Sequence, residues 1–527
     1  MEPTNKRTTV AVIGLGALGL VAVKNLIEEG FRVTGFDGNE FVGGLWHYTD
    51  DDRTSVLKTT VINISAERGC YTDFPFPKDA PPHVHAHHVE KYLEDYTDHF
   101  QLRPLLRLST RVKNVSPPGE AGKWAVTLEG TGEVEYFDKV VIATGINQVP
   151  VVPDIPGIEQ FAGRCLHSRS YKSPEPFKGR KVLIVGFGST GADTATTLVG
   201  YADKIYVSHR NGVMIVPRKS KGVATDHVIT ERADRIIGLL ERFAPRLAER
   251  MVNSFLKRLQ DSSFTIRPEW KLSPEPSYKE SIPIISDEIV RVLEDGSVSP
   301  VGGVRAVVAP DTVELSDGTR LVVDTIIYCT GYRMDFGLLD PSVDPGRETT
   351  GWADLPGASA CPFPKLYRGL FSLDYPDSLA ILGCAILPSP AFQLYDVATM
   401  VVAQVWGGKS ELPPLEEMRR AADEHVRMVC SVAEKRKVLN PGSVDGPEWM
   451  AWANNMTGTG VDTHLGWGWK GIKFWLTNWR LCGILMGGVL SPHSFRLFET
   501  GKRRRWDGAE EEIWRVNKKV KELREKT

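Results

Sequence analysis

Residues 10–19 read Val10-Ala-Val-Ile-Gly-Leu-Gly-Ala-Leu-Gly19. A four-residue apolar run passing straight into glycines at 14, 16 and 19 predicts a buried strand, a tight turn and a helix behind it, over Leu20 to Ile27 and ending before Gly30. Phe31 to Phe36 supplies a second strand, and Asp37 stands at its end. In such a unit Gly14 permits the turn, Gly16 lets a pyrophosphate approach the backbone, and Gly19 lets helix and sheet pack closely. The free N–H groups and dipole of the helix then meet the phosphate charge. Asp37 is placed where a carboxylate binds both hydroxyls of an unphosphorylated ribose, which suits FAD or NAD better than NADP.

The pattern occurs twice. Lys181 to Val185 predicts a strand, Gly186, Gly188 and Gly191 the turn with Ser189 inside it, Ala192 to Leu198 a helix, and Lys204 to Val207 a strand leading to Arg210. No acid follows this second strand. A carboxylate there would repel a ribose phosphate, whereas Arg210 can hold one through charge-assisted bonds, with Ser208, Arg218 and Lys219 near enough to reinforce it. NADPH is therefore the expected occupant. Between the units, Trp124 to Leu128 and Glu133 to Tyr136 read as hairpin strands before Lys139-Val-Val-Ile-Ala-Thr144-Gly145. Thr312 to Leu315 precedes Asp324-Thr-Ile-Ile-Tyr-Cys-Thr330-Gly331-Tyr332 in the same way. Each is a return path from an inserted antiparallel layer to a parallel sheet, with Thr144, Thr330 and Gly331 as candidate cofactor contacts.

Two bound dinucleotides imply hydride transfer from nicotinamide to flavin. A disulfide reductase would need paired cysteines near the first helix, and the 7 cysteines are scattered with no CxxC or CxxxxC there. The reduced flavin must pass its electrons elsewhere, and molecular oxygen is the economical acceptor. No HExxH spacing points to a metal, so none is expected.

With 527 residues, the chain exceeds what one hydrophobic core fills, so two or three domains are expected. A composition of 42% hydrophobic and 25% charged residues is that of a globular protein, and a net charge of -2 gives no footing for nucleic acid. Partners are expected to be small molecules, self-association is plausible, and reduced cysteines with no apolar leader suit a cytoplasmic protein. The segment 472–490, Ile-Lys-Phe-Trp-Leu-Thr-Asn-Trp-Arg-Leu-Cys-Gly-Ile-Leu-Met-Gly-Gly-Val-Leu, is interrupted by Lys473 and Arg480. It reads as buried against the protein or as lying on a membrane surface, not as a span. The fold expected is α/β, with two Rossmann-like dinucleotide-binding domains, the second inserted in the first. FAD-binding parts at 1–160 and 331–410 enclose an NADPH-binding domain at 161–330. That domain carries a helical insertion at 223–295, and a C-terminal helical extension at 411–527 packs on the FAD domain. Ala233 to Leu259 and Leu415 to Lys437 are amphipathic, whereas 438–470 has no clean period.

Several further stretches resemble the flavin-containing monooxygenases, among the class B flavoprotein monooxygenases. Gly43-Gly44-Leu45-Trp46 resembles the family's GGxW segment beside the flavin. Asn63, ahead of Asp73-Phe-Pro-Phe-Pro77, resembles the asparagine near the reactive flavin edge. Phe161-Ala-Gly-Arg-Cys-Leu-His167-Ser-Arg-Ser-Tyr171 resembles the FxGxxxHSxxY signature, and Ser491-Pro-His-Ser-Phe-Arg-Leu497 a late SPYQFRL-like segment. The resemblance implies FAD held by the first unit and NADPH by the second. It further implies monooxygenation through a C4a-peroxyflavin, with Asn63 orienting that region. His167 is the second catalytic candidate, bonding across the domain junction, contacting NADP+ or exchanging protons. Baeyer-Villiger relatives carry Trp at the position of Tyr171 and an arginine over the flavin, so the departures favour oxygenation of an amine or sulfide over ketone insertion. A Baeyer-Villiger enzyme, an NADPH oxidase releasing peroxide and a non-catalytic dinucleotide-binding protein stand as the alternatives.

Overall fold

Two five-stranded parallel sheets organise the chain in the computed structural model, which describes residues 8–525 except 121, 221, 350, 359–361 and 436–440. The first sheet runs in the order Leu379–Ile381, Lys139–Ile142, Thr9–Ile13, Arg32–Phe36, Leu106–Arg107. The second runs Val298–Val301, Lys204–Ser208, Lys181–Val185, Thr325–Tyr328, Arg164–His167. All eight pairings are parallel. Since strand 379–381 follows the whole second sheet in sequence yet completes the first, the chain leaves one Rossmann-like unit, builds another and returns. Val10 to Val12 and Val182 to Ile184 are buried on both faces, which is why they read as unbroken apolar runs.

The helices of both units begin earlier than their apolar runs suggest. Ala17–Glu28 opens directly on Gly16 and Ser189–Leu198 on Gly188, since helix N-termini are set by the turn and not by hydrophobicity. Ala17–Glu28 packs its other side against Ala391–Trp406, a helix buried almost all round and therefore without a polar stripe to betray it. The predicted hairpins appear as two three-stranded antiparallel layers, Val112–Ser116 with Trp124–Leu128 and Val134–Phe137, and Val304–Ala309 with Thr312–Leu315 and Arg320–Val322.

In the insertion, the single amphipathic stretch is two helices, Glu231–Phe243 and Pro245–Ser263. Pro245 lacks an N–H and disfavours helical backbone at Ala244, which takes φ -145 and ψ 60. The end of the segment departs from the helical-insertion reading, because Ile284–Ile285 and helix Glu288–Glu294 pack on helix Ser189–Leu198. Helix Leu415–Ala433 lies where expected, with Lys437 outside the described residues. Helix Gly446–Thr457 was not expected, although its signal is present: the Asp445 carboxylate accepts from the Glu448 N–H at 2.9 Å, and Pro447 sits in the first turn.

A buried charge network ties the C-terminal part to the first unit. Arg503 Nη2 reaches Glu28 at 3.1 Å and the Asn25 amide oxygen at 2.7 Å, and its Nη1 lies 3.4 Å from Asp396. Arg496 bridges Glu28 and Asp73, each at 3.2 Å, and Lys24 pairs with both. Three cations thus face three carboxylates, and Asp396 also accepts from the Thr72 N–H and hydroxyl. Burial alone would raise the Glu28 carboxyl, but Arg503, Lys24 and Arg496 together hold it far below the usual carboxylate range. The Asp-Phe-Pro-Phe-Pro and Ser-Pro-His-Ser-Phe-Arg segments meet here, at Asp73 and Arg496.

Candidate functional site

The two glycine turns are near copies in space. Gly14 has φ +98, and a Cβ there would stand 2.5 Å from the Ala143 carbonyl oxygen; Gly186 has φ +107, with 2.4 Å to that of Cys329. Gly19 and Gly191 bring each helix so close that a Cβ would lie 1.7 and 2.1 Å from the oxygens of Gly14 and Gly186. No larger residue fits these positions. Around Gly188, by contrast, a Cβ would meet nothing within 4 Å, leaving an open cradle over the N–H groups of the Ser189–Leu198 helix. Gly43 and Gly44 close the first turn from above: the Gly43 N–H donates to Leu15 at 3.0 Å, and Gly44 approaches Gly16.

The strand ends beyond the two glycine turns differ in charge. Asp37 follows the strand whose last carbonyl, on Phe36, accepts from Gly14 at 2.8 Å. Its carboxylate accepts from Leu15 N–H at 2.7 Å and Asn39 N–H at 2.8 Å; burial raises its pKa while those bonds oppose the rise. In the second unit Ser208 O accepts from Gly186 at 3.1 Å, so the topological equivalent of Asp37 is His209. His209 is buried with its ring nitrogens against the carbonyls of Asn211 and Trp270, and the next residue, Arg210, is exposed. Arg210 makes no hydrogen bond or ion pair with another described residue.

Between the two units lies a cavity of about 330 Å³. Leu45 and Trp46 line it from the first unit, Ser189 and Thr190 from the second, and Asn63 from the loop before the Asp-Phe-Pro-Phe-Pro segment. The Asn63 amide makes no hydrogen bond to another described residue. Its loop is held by the insertion: Asp226 accepts from the Ser65 N–H at 2.9 Å and hydroxyl at 3.0 Å, and His227 meets Glu67 at 3.2 Å. Burial alone would raise Glu67, but His227 and Lys519 hold it at about 2. Sequence reasoning missed Asp193, Asn147, Tyr332 and Phe392, which also line the cavity. Asp193 is the only charged side chain in that lining, and burial pushes it up to about 6, with Arg218 opposing and Glu288 adding. It lies one helical turn beyond Ser189, a spacing that could have marked it.

Several sequence candidates fall outside the cavity. His167 accepts the Arg169 N–H at Nδ1, 3.1 Å, so its proton is on Nε2, which donates to the Gly331 carbonyl at 3.0 Å. Nδ1 thus caps the turn that follows its own strand while Nε2 ties it to the Gly331 turn, and burial lowers the pKa of the ring. The Ser208 hydroxyl is buried and donates to Gly302 O at 2.8 Å. Arg218 is buried and paired with Glu288 at 2.7 Å. Thr144 accepts from Gln148, and Thr330 donates to Val151 O. The run His83-Val-His85-Ala-His87-His88 does contain HxH spacing, yet no group of three or more potential ligands among the described residues could hold a metal. The six described cysteines are free thiols and none lines the cavity; Cys361 lies outside the described residues.

A profile of the Flavin-binding monooxygenase-like family matches residues 6–527. The chain is 42% identical to Monooxygenase aurF of Gibberella zeae, over 97% of each. It is similar in fold to S-allyl-L-cysteine S-oxygenase from Allium sativum, with a TM-score of 0.63 at 20% identity covering 98% of this chain and 99% of that one. Cyclohexanone monooxygenase from Rhodococcus sp. Phi1 bound to NADP+ gives 0.58 at 19% identity, covering 88% and 99%. Among the described residues, no helix is long and apolar enough to cross a membrane.

Proposed function

The chain belongs to the flavin-binding monooxygenase-like family, and from that premise we propose that it uses NADPH and O2 to oxygenate a soft nitrogen or sulfur nucleophile in the cavity between its two units. The observation that carries the reading is the convergence, in one cavity, of both glycine-turn units and the unpartnered Asn63 amide. Bound FAD and NADPH supply hydride transfer and oxygen activation there; the open cradle at Gly188 and the approach of Gly44 to Gly16 fit such groups.

Asp37 holds the FAD ribose and Arg210 the NADPH phosphate, while Asn63 offers an amide hydrogen bond at the reacting edge. Leu45, Trp46 and Phe392 keep bulk water out, so that bond acts in a low dielectric. No strong base is required, because an amine or sulfide attacks with its own lone pair. His167 fixes the junction of Arg164–His167 with the Gly331 turn, by the bonds described above. The S-oxygenase and the cyclohexanone enzyme share the fold, so the choice of substrate rests on this cavity: its lining has no arginine to stand over the flavin.

Product and hydrogen peroxide, measured per NADPH consumed with a tertiary amine, a sulfide and a ketone, test the reading. Oxygenated amine or sulfide close to one per NADPH supports it. Ester from the ketone would favour the Baeyer-Villiger alternative, and peroxide alone with every substrate would leave an oxidase. Asn63→Ala is expected to raise the peroxide share about tenfold, the loss of one hydrogen bond worth ~1.4 kcal/mol.

Asp193 adds a pH signature. Its carboxylate ionises as pH rises through about 6 and can then hold the proton of an incoming ammonium. For the amine, kcat/KM is expected to rise through that window in the native enzyme and to lose this limb in Asp193→Asn. The sulfide should show no difference, and a limb that persists in the variant rules Asp193 out.

A further inference from the structure

We infer that the face formed by helices Trp469–Thr477, Trp479–Gly487 and Glu231–Phe243 docks on the surface of an anionic lipid bilayer. In the first helix and its entry, Trp467 is 100% exposed, Trp469 77%, Trp475 57% and Leu476 63%, and Trp479 follows at 62%. Isolated exposed apolar residues are ordinary, but four indoles within thirteen residues are not.

The outward orientation is fixed from inside. Phe474 stacks edge-on against Phe498 at 5.3 Å and His464 at 5.9 Å, and Gly471 is pressed so close that a Cβ would stand 1.9 Å from Gly466 O. Residues 469, 472 and 476 therefore form a stripe pointing away from the protein. Helix Trp479–Gly487 packs beside Glu231–Phe243. That neighbour exposes Ile236, Leu239 and Phe243 at i, i+3 and i+7, which extends the apolar face.

Charge selects the occupant. From 465 to 490 the chain carries Lys470, Lys473 and Arg480 and no acidic residue, while helix Glu231–Phe243 balances Glu231, Asp234 and Glu241 with Arg232, Arg235 and Arg242. Lys470, Lys473 and Arg480 are all exposed and none forms an ion pair with a described residue. Amphipathic indoles beside unpaired cations match the interface of an anionic bilayer, where rings sit at headgroup level and cations meet lipid phosphates. A second copy fits less well, since a two-fold contact brings the same cations towards one another. Helices Trp469–Thr477 and Trp479–Gly487 have nine residues each, about 14 Å, so the face lies on a bilayer and does not cross it. The sequence left 472–490 as either buried or interfacial; the segment divides, with 472–480 exposed apart from Phe474 and Leu481, Cys482, Leu485 and Val489 buried against the protein.

The test is flotation of the FAD-loaded full chain with vesicles of phosphatidylcholine alone or with about one third phosphatidylserine. At least tenfold more protein is expected to float with the anionic vesicles, with a blue shift of tryptophan emission. Trp475→Asp/Trp479→Asp and Lys470→Glu/Lys473→Glu/Arg480→Glu should each abolish flotation at unchanged flavin absorbance and NADPH oxidation. Absence of flotation with either vesicle, or flotation that both variants retain, overturns the proposal. A stable dimer in sedimentation that the tryptophan variant dissolves, without vesicle binding, would assign the face to a second copy instead.

Discussion

Replacing Arg503 by alanine is expected to destabilise the protein by about 3–5 kcal/mol, the usual cost of removing one partner from a buried ion network. Arg503 is 6% exposed and serves Glu28, Asp396 and Asn25 together, so its loss leaves the fully buried Asp396 and the partly exposed Glu28 short of countercharge. In the native protein both carboxyls lie below their usual range: burial acts to raise them, but Arg503 and Lys24 outweigh it. Their contribution is complete above the unfolded-state values near 4 and is lost as pH falls through the lower folded ones. In Arg503→Ala the same carboxyls move upward and protonate earlier. The stability gap in urea unfolding should therefore be widest near pH 7 and narrow towards pH 4. A difference below about 1 kcal/mol at pH 7 would mean that Lys24 and Arg496 suffice. Lysine at 503 should recover part of the loss, because it restores charge without the fork that reaches three partners at once.

This network also marks where sequence reading ends. The Rossmann-like units were legible because their constraints are local: a glycine at φ +98, a helix close against a turn and an apolar strand leave a spaced signature at Gly14, Gly16 and Gly19 and again at Gly186, Gly188 and Gly191. Asn63 and the Gly44 to Trp46 segment were reached through family resemblance. Asp193 was overlooked although it sits within the second unit, because its significance depends on what shares its cavity. The pairing of Glu28 with Arg496 and Arg503 joins positions more than 460 residues apart, and no periodicity encodes that. A histidine in a signature segment invites a chemical role, and the two backbone bonds of the His167 ring are likewise invisible in the sequence. The same holds for Ser208, since adjacency to Arg210 says nothing about the side of the strand a hydroxyl faces.

That distinction yields the second large effect. Arg210→Ala is expected to raise KM for NADPH by about 10–100-fold with little change in kcat, since charge-assisted bonds to a phosphate are worth roughly 1.5–3 kcal/mol. The phosphate is remote from the reacting carbons, so the loss is one of uniform binding. KM for NADH, which lacks that phosphate, should stay within about threefold, so the preference between the two cofactors collapses. Ser208→Ala serves as the discriminating control: its hydroxyl is already committed to Gly302 O, and cofactor preference should not move. Arg218 is buried with its Nη1 on Glu288. If Arg210→Ala leaves both cofactor constants unchanged, the phosphate is held elsewhere, and Lys219, exposed on the strand that follows, becomes the next position to replace. If instead NADH binding weakens as much as NADPH binding, Arg210 supports the turn beneath the cofactor, where its side chain already lies against Gly303. The ratio of the two KM changes therefore separates a phosphate ligand from a structural prop in a single variant.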